Sequence, residues 1–251
     1  MTDTPPRMDT ALEATDAPFA PPPAGAAAGV GAIFDVDGTL LPGTTAERLF
    51  LRFLVERGEL DARAVWQTAW FVARRLYPPG LAAVRGVREQ RPYFAGKEAA
   101  AMERLGAECF AAEIRPRLSA RGVAALHEHR DAGHTTVLLS GGLWFLVEPM
   151  AAWLGANHAL ATRLATRVRR GGEPLLTATL TGPHPYGAAK ATLLRAFAAR
   201  HGLDLAHSYC YGNHRTDTEM LALVGRPVAV NPDAALRREA ARRGWSIEVF
   251  A

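Results

Sequence analysis

Two carboxylates, Asp35 and Asp37, follow directly on the apolar segment 31–34. Residues i and i+2 of an extended strand point to the same side, so both acids can reach one pocket at the end of a strand. Acids this close repel each other unless a proton or a cation lies between them, and a hard divalent metal would serve. One carboxylate could then attack phosphorus while the other transfers a proton. A solvated turn is the alternative interpretation of the same residues.

Two polar features further along the chain can each serve an anion. The Ser-Gly-Gly run at 140–142 can present a hydroxyl and backbone N–H groups to an oxyanion, because glycine allows close approach. Lys190 lies in the first turn of a predicted helix, where a cation is disfavoured unless its side chain turns back to an anion. The alternatives are an ordinary turn and an exposed lysine.

These motifs, in this order, resemble those of the haloacid dehalogenase (HAD) superfamily of phosphatases. The resemblance extends over about residues 31–251 and is closest to the phosphoserine-phosphatase-like branch, subfamily IB. One short motif is weak evidence, whereas four in the expected order are strong. The residues that carry it are Asp35-Val36-Asp37-Gly38-Thr39-Leu40, Leu138-Leu139-Ser140-Gly141-Gly142, Gly187-Ala188-Ala189-Lys190 and Tyr211-Gly212-Asn213-His214-Arg215-Thr216-Asp217.

The resemblance implies a Mg²⁺-dependent hydrolase of a small or lipid-like phosphate monoester that acts through an aspartyl-phosphate intermediate. Asp35 would be the nucleophile, and Asp37 would protonate the leaving oxygen and then deprotonate the attacking water. Lys190 would neutralise the nucleophile and the transferring phosphoryl group. The implied catalytic residues are Asp35, Asp37, Ser140 and Lys190, the phosphate-binding residues Gly38, Thr39, Ser140, Gly141 and Lys190, and the metal ligands Asp35, Asp37, Asn213 and Asp217.

The chain departs from the family pattern at Asn213, where the family has an acidic Mg²⁺ ligand. An amide carbonyl can still bind a hard cation, but the missing negative charge lowers the expected affinity. A catalytically weakened phosphate-binding or regulatory protein is therefore one alternative function. A phosphotransferase that passes the phosphoryl group to an alcohol is another. His214 is a poor Mg²⁺ ligand and is interpreted as a loop or substrate-facing residue.

A second departure concerns the substrate. In the phosphoserine phosphatases of this family, a glutamate seven positions after the second acid of the first motif binds the substrate amine. That position is Thr44 in this chain. Glu47 lies one helical turn later and is either a replacement for that glutamate or an exposed helix residue. Phosphoserine is therefore disfavoured as the natural substrate.

The elements that would hold these motifs alternate between strand and helix after residue 118. Such alternation predicts a Rossmann-like α/β fold, with a mostly parallel sheet and helices on both faces. Ligands of such sheets bind beyond the carboxyl ends of the strands, where the motifs fall. We predict strands at 31–35, 134–140, 158–164, 208–212, 227–230 and 247–250, helices at 120–132, 143–154, 188–201, 216–224 and 233–243, and a hairpin at 167–181.

The chain is expected to divide into three parts. Residues 1–30, rich in Pro and Ala, are interpreted as a disordered tail. Residues 31–43 and 119–251 would form the α/β core. Residues 44–118 would form an inserted helical cap of the small C1 type, with helices at 44–57, 62–77, 81–90 and 97–114. Its aromatic residues fit either an apolar leaving group or, as we favour, the cap's own core: Trp66, Trp70, Phe71 and Tyr77.

Length, net charge and cysteine content restrict the class of protein and its location. The 251 residues suffice for one domain with an insertion, and the net charge of +4 is too small to indicate nucleic-acid binding. Cys109 and Cys210 are far apart, and Cys210 is predicted to lie in a buried strand, which favours a reducing cytoplasm. The sequence predicts no transmembrane helix. Membrane-surface contact through the predicted helix at 62–77 is a disfavoured alternative.

Overall fold

The computed structural model describes residues 29–60, 91–168 and 172–250. Within these ranges, seven strands form one sheet, and all neighbouring strands are parallel except the third and fourth along the chain. The predicted fold class, a mostly parallel α/β sheet, is confirmed. The strands are β1 Gly31–Phe34, β2 Thr135–Leu143, β3 His158–Val168, β4 Pro174–Thr181, β5 Tyr209–Gly212, β6 Arg226–Val230 and β7 Ser246–Glu248.

Helices follow most of the strands in the described part of the chain. The α-helices are α1 Ala46–Glu56, α2 Ala99–Cys109, α3 Ala120–Asp131, α4 Trp144–Leu154, α5 Ala188–His201, α6 Thr218–Leu221 and α7 Ala234–Arg243. Shorter segments are 3-10 helices at Pro92–Phe94, Arg115–Arg117 and Arg215–Asp217, and a π-helix at Phe110–Ile114. None of the described helices is long and apolar enough to cross a membrane.

Apolar side chains cover both faces of the sheet, as alternation along β1 illustrates. Ala32 and Phe34 belong to one buried cluster, whereas Ile33 belongs to another. Successive residues of a strand point to opposite faces, so the two clusters lie on the two sides of the sheet. The first cluster also contains residues of α1, α2, α3 and α4, and the second contains residues of α5, α6 and α7.

The order of the strands creates a crevice beside β1. The sheet reads β4-β3-β2-β1-β5-β6-β7, so the chain builds one half outward from β1 and then returns to build the other half from β5. Ligand sites in open α/β sheets lie where the order reverses in this way, at the carboxyl ends of the strands. Asp35 follows β1 and Asn213 follows β5, so these two motifs flank the crevice.

Helix α1 shows how the sequence fixes the element that follows the first motif. Thr45 caps the helix, because its side chain accepts a hydrogen bond from the Arg48 backbone N–H at 3.2 Å. The predicted apolar stripe is buried, as expected: Leu49, Phe50, Phe53 and Leu54. The cap therefore sets the start of α1 two residues later than position 44.

Some predicted boundaries were wrong. The predicted strand 158–164 and the first arm of the hairpin 167–181 are one continuous strand, β3, which pairs in parallel with β2 and then antiparallel with β4. Arg163 and Arg167 interrupt its apolar pattern, but backbone pairing continues through them. The predicted helix 97–114 is α-helical only to Cys109 and ends in π and 3-10 turns before Leu118. The predicted helix 216–224 is a 3-10 turn followed by the short α6.

The predicted tail and cap are covered only in part. Residues 1–28 and the predicted helices at 62–77 and 81–90 lie outside the described residues. The described helices that flank this range share the core of the sheet, since the rings of Phe50 and Phe94 lie 5.2 Å and 5.4 Å from the ring of Phe145 on α4. The division into a core and a separate cap stays a prediction.

Candidate active site

A buried ion-pair network joins three of the predicted site residues. The Nζ atom of Lys190 donates hydrogen bonds to Oδ1 of Asp35 at 2.6 Å and to Oδ1 of Asp217 at 2.8 Å. Asp35 and Lys190 are each 5% exposed and Asp217 is 2% exposed. Lys190 occupies the first turn of α5, and its side chain is directed to anions, as its unfavourable position at a helix start predicts. The alternative of an exposed lysine is excluded.

Electrostatics explain which members of this network stay charged. Burial opposes the Lys190 cation, but Asp35 and Asp217 outweigh burial and hold the pKa of Lys190 above its ordinary value. Burial raises the pKa of Asp35, and the positive charge of Lys190 only partly offsets that effect. With Asp37 included, three carboxylates face one ammonium group, so two negative charges remain uncompensated when all are ionised.

Asp37 is held by the start of the following helix. Its Oδ1 accepts a hydrogen bond from the backbone N–H of Ala46 at 2.8 Å. Burial raises the pKa of Asp37 to about 6, although the bond from Ala46 and the charge of Lys190 act in the opposite direction. A carboxyl group with a pKa near neutrality can hold a proton at one stage of a reaction and release it at another.

The loop between the acids and α1 is stabilised by its own hydrogen bonds. The hydroxyl of Thr39 donates to Oδ2 of Asp35 at 3.3 Å, and Thr39 is fully buried. The N–H of Gly38 donates to the carbonyl of Leu41 at 2.8 Å, which leaves that N–H committed within the loop. The predicted phosphate contact of Gly38 therefore receives no support from its backbone donor. Thr39 contacts the predicted nucleophile directly.

Gly38 is required for a steric reason. Its φ of +84° lies in the left-handed region, and a Cβ atom would lie 2.0 Å from Nδ2 of Asn213. The predicted ligand Asn213 therefore packs against the first motif, although the two residues belong to different strand ends. The structure thus brings the first and fourth motifs into direct contact.

Ser140 and Gly141 lie on the strand next to β1. Leu138 pairs with Phe34, so Asp35 and Ser140 are within about one residue of register at the ends of neighbouring strands. Ser140 is 1% exposed, and its Oγ accepts a hydrogen bond from the N–H of Gly142 at 3.0 Å. Because the oxygen is the acceptor there, the hydroxyl proton is available for a hydrogen bond to an anion.

Two residues that the sequence reasoning missed fix the position of Gly141. The hydroxyl of Thr162 on β3 donates to the carbonyl of Gly141 at 2.8 Å and lies 2.8 Å from Nδ1 of His184. Since the single Thr162 proton goes to the carbonyl, Nδ1 of His184 must be the donor to Thr162. No spacing motif marks this pair. The only sequence signal is that His184 lies shortly before Lys190.

A cavity of about 560 Å³ opens beside the acid pair. It lies between the loop after β1, the start of α1 and the loops after β5 and β6. The residues that line it are Asp37, Gly38, Pro42, Gly43, Thr44, Thr45, Arg48, Asn213 and Asn231. The leaving group of a substrate could therefore extend from the acid pair into this space.

The donors at this site are oxygens that suit a hard divalent cation, although few of them are charged. In the described part of the chain, no group of three or more His, Cys, Asp or Glu side chains is arranged to hold a metal ion. The oxygens that flank the crevice come from Asp35, Asp37 and the amide of Asn213, a chemistry that Mg²⁺ accepts. The two uncompensated negative charges equal the charge of one divalent cation. The residues present therefore fit such an ion.

Asp217 has a different environment from the one expected of a metal ligand. One of its oxygens accepts from Lys190, and Oδ2 accepts from the backbone N–H of His214 at 3.1 Å. The geometry favours a role in holding Lys190 and the loop after β5. The imidazole of His214 is turned toward Thr216 and Asp233, which agrees with its interpretation as a loop residue.

Glu47 is engaged within the protein. Its carboxylate accepts a hydrogen bond from the hydroxyl of Tyr93 and forms an ion pair with Nε of Arg91 at 2.6 Å. The interpretation of Glu47 as a replacement for the amine-binding glutamate is therefore not favoured. Thr44, at the family's glutamate position, lines the cavity with an uncharged side chain.

Comparison with known proteins shows the family of the chain. A model of the haloacid dehalogenase-like hydrolase family matches residues 32–222. The chain belongs to this family. It is 34% identical to the inhibition of morphological differentiation protein of Streptomyces azureus, over 87% of this chain and 78% of that protein. It is 32% identical to phosphoserine phosphatase SerB1 of Mycobacterium tuberculosis, strain ATCC 25618 / H37Rv, over 87% of this chain and 70% of that protein.

A solved structure extends the comparison to the fold. A protein of unknown function from Bordetella pertussis Tohama I superimposes with a TM-score of 0.73 at 26% sequence identity, and the match covers 88% of this chain and 98% of that one. The predicted membership of the HAD family is confirmed. The predicted enzyme class, a phosphatase of the HAD type, is also confirmed by the family match and its named relatives.

Proposed function

We propose that this chain hydrolyses a small phosphate monoester through a phosphorylated Asp35. The observation that carries the proposal is the buried Lys190, which bonds both Asp35 and Asp217 at the carboxyl end of the sheet. The charge of Lys190 favours the ionised form of Asp35 against the effect of burial, and its hydrogen bond holds the carboxylate in position for attack. The neighbouring Asp37, whose pKa burial raises to about 6, suits an acid and base.

In the first step, an oxygen of Asp35 forms a bond to phosphorus while the bond to the leaving oxygen breaks. We assign Oδ2 as the attacking atom, because it has only the longer contact from Thr39, whereas Oδ1 is bonded to Lys190. The electron pair of the broken bond goes to the leaving oxygen, and protonated Asp37 donates its proton there. The product of this step is an alcohol and phosphorylated Asp35.

In the second step, water attacks the same phosphorus atom. Asp37, now ionised, accepts the proton of the water, and the bond between phosphorus and Asp35 breaks with its electron pair returning to the carboxylate. Inorganic phosphate leaves. Lys190 neutralises negative charge in both steps, and the hydroxyl of Ser140 is the donor that we assign to a phosphoryl oxygen.

We propose Mg²⁺ as the cofactor, held by Asp35 and the amide oxygen of Asn213, with Asp37 as a further ligand while it is ionised. When bound, the ion supplies positive charge for the phosphoryl group during transfer. Asp217 is assigned to the positioning of Lys190 rather than to the metal. Because an amide replaces a carboxylate at position 213, we expect metal binding to be weaker than in a site with three acids.

The proposed partner is a small molecule, and the proposed location is the cytoplasm. A cavity of about 560 Å³ is in the size range of small-molecule sites. The two cysteines, Cys109 and Cys210, are both free and buried, as is usual in a reducing compartment. Cys210 lies in β5, where a buried strand was predicted.

The test is hydrolysis of p-nitrophenyl phosphate by the purified chain, with Mg²⁺ and with EDTA. We expect Mg²⁺-dependent release of phosphate that falls at least about a thousandfold in Asp35→Asn. Asp131→Asn, an equally isosteric change at an exposed helix end, is the matched control and should keep its activity. Turnover that survives in Asp35→Asn would overturn the assignment of the nucleophile.

A further inference from the structure

The cavity beside the acid pair carries one basic side chain among the described residues that line it, that of Arg48. The only acid among these described lining residues is Asp37, which belongs to the chemistry proposed above. The other lining residues, including Thr44, Asn213 and Asn231, are uncharged. Apart from the catalytic acid, the wall that a leaving group would meet therefore has a positive charge.

Arg48 has no partner of its own among the described residues. It is exposed, and its side chain makes no hydrogen bond or ion pair with another described residue, although its backbone N–H donates to Thr45. It lies in the first turn of α1, where the helix dipole disfavours a cation. Arg52, one turn later on the same helix, differs because it forms ion pairs with Glu56 at 3.1 Å and Glu113 at 3.2 Å. The guanidinium of Arg48 is thus available to a ligand in the cavity.

Apart from Asp37, the described residues of the same wall offer no acid to an ammonium group. Thr44 is uncharged, and the carboxylate of Glu47 is committed to Arg91 and Tyr93. A leaving group with a positive charge would face Arg48 across the cavity and would be repelled. A leaving group with a second anionic group would find a planar donor of paired N–H groups, the geometry that suits an oxyanion.

We propose that Arg48 selects phosphate monoesters whose leaving group carries a second anionic group, with a carboxylate as the simplest case. This inference rests on the proposed function, since it concerns the substrate of the same site. It makes Arg48 a specificity-determining residue and places the second anion in the cavity beside Asp37. It disfavours leaving groups whose only charge is an ammonium.

The experiment compares three substrates that share one aromatic ring: phenyl phosphate, 4-carboxyphenyl phosphate and 4-(aminomethyl)phenyl phosphate. Release of phosphate gives kcat/KM for each. We expect the carboxylate substrate to be preferred over phenyl phosphate and the ammonium substrate to be the poorest. In Arg48→Met the ratio of the first two values should fall about fivefold, the size of a partly exposed ion pair.

Matched variants distinguish the effect of the Arg48 charge on substrate preference from a general loss of stability or activity. Arg52→Met removes the same charge from the same helix outside the cavity and should leave the substrate ratio unchanged. Arg48→Lys should keep part of the preference for 4-carboxyphenyl phosphate over phenyl phosphate. Arg48→Glu should reverse the order of the charged substrates, so that 4-(aminomethyl)phenyl phosphate has the higher kcat/KM. An unchanged ratio in Arg48→Met and in Arg48→Glu would overturn the proposal, as would an equal fall in Arg52→Met.

Binding measurements distinguish this inference from the proposed function. Calorimetry with Asp35→Asn, which should bind without turnover, gives the dissociation constants of phenyl phosphate and 4-carboxyphenyl phosphate. A preference for the carboxylate ligand that Arg48→Met removes supports the role of Arg48 even if the wild-type chain hydrolyses neither. Turnover of phenyl phosphate without any such preference would contradict the inference and leave the phosphatase assignment intact.

Discussion

The Nζ atom of Lys190 lies 2.6 Å from Oδ1 of Asp35, although the two residues are 155 positions apart in the chain. The same nitrogen bonds Asp217, which lies in the 3-10 helix after β5. Residues from the first, third and fourth motifs therefore share one buried ion-pair network. The stability of this network and the reactivity of Asp35 depend on the same lysine, which makes Lys190 the most informative position to change.

Lys190→Met should impair both folding and catalysis. Removal of the ammonium leaves Asp35 and Asp217 buried without a counter-charge, which costs about 3–5 kcal/mol of unfolding free energy. Loss of a charge-stabilising group at the phosphoryl site should lower kcat by about a hundredfold or more. Urea unfolding and steady-state kinetics measure the two effects.

A double variant separates the two roles of Lys190. Lys190→Met combined with Asp217→Asn removes one of the two buried carboxylates that have lost their counter-charge. The double variant should recover part of the lost stability without recovering activity. If the single variant is as stable as the wild type, the buried network does not have the energetic role described here.

Asn213→Asp should strengthen the dependence on Mg²⁺. The change adds a negative charge beside the acid pair without changing the shape of the side chain, so the Mg²⁺ concentration for half-maximal activity should fall about tenfold. Asn231→Asp adds the same charge at another amide of the cavity and serves as the control. An equal effect of both variants would show that general charge, rather than a ligand at position 213, governs metal binding.

Gly38 and Gly43 form a matched pair for testing the contact between the first and fourth motifs. Both have a positive φ, +84° and +72°, but a Cβ at Gly38 would meet Asn213 at 2.0 Å, whereas a Cβ at Gly43 meets nothing within 4 Å. Gly43→Ala should cost only backbone strain, about 1–2 kcal/mol. Gly38→Ala should cost about 1–3 kcal/mol more.

The clash at Gly38 should also be reversible. In Gly38→Ala, Asn213→Gly removes the side chain that the new methyl group meets, so part of the stability should return. Differential scanning calorimetry of the four proteins tests this expectation. Equal losses in the two alanine variants would mean that Asn213 moves aside without cost.

A buried histidine makes stability depend on pH. Burial, together with the charges of His134 and Arg226, lowers the pKa of His129 from 6.5 to about 4. Between these values the unfolded chain binds more protons than the folded chain, so stability is complete above pH 6.5 and is lost as pH falls toward 4. The loss amounts to about 3 kcal/mol.

His129→Gln should flatten this dependence. Urea unfolding at pH 7 and pH 5 gives the slope, and His127→Gln on the same helix is the control that should keep the wild-type slope. His129 bonds Tyr211 at 2.8 Å and His134 at 2.7 Å, so some stability at pH 7 will also be lost. A wild-type slope in His129→Gln would assign the acid sensitivity to other groups.

Much of the fold could be predicted from the sequence because its signals are local. The helix at Ala188–His201 matched the expected bounds, since a glycine stands on either side of it. The strand β3 was misjudged, because its two halves pair with different neighbours and only the sheet keeps them continuous. The 3-10 turn before α6 was missed because Asp217 uses its side chain to bond His214 and Lys190.

The candidate site was predictable in its residues but not in its pairings. Asp35, Ser140 and Lys190 stand in recognisable motifs, and all three are buried at the same end of the sheet. That Asp217 bonds Lys190 depends on how the loop after β5 approaches α5, which no local pattern encodes. The bridge from His184 through Thr162 to Gly141 likewise joins residues of three segments and leaves no spacing signal.

The central claim is that Asp35 carries the phosphoryl group during the reaction. The most direct test is to trap the phosphorylated protein. p-Nitrophenyl phosphate has a good leaving group, so Asp37→Asn should still form the intermediate while its hydrolysis slows. Acid quench with ³²P-labelled substrate should then give a hydroxylamine-labile label on the peptide that contains Asp35, absent when Asp35→Asn is added. Steady turnover without any label on this peptide, and with activity retained in Asp35→Asn, would contradict the account.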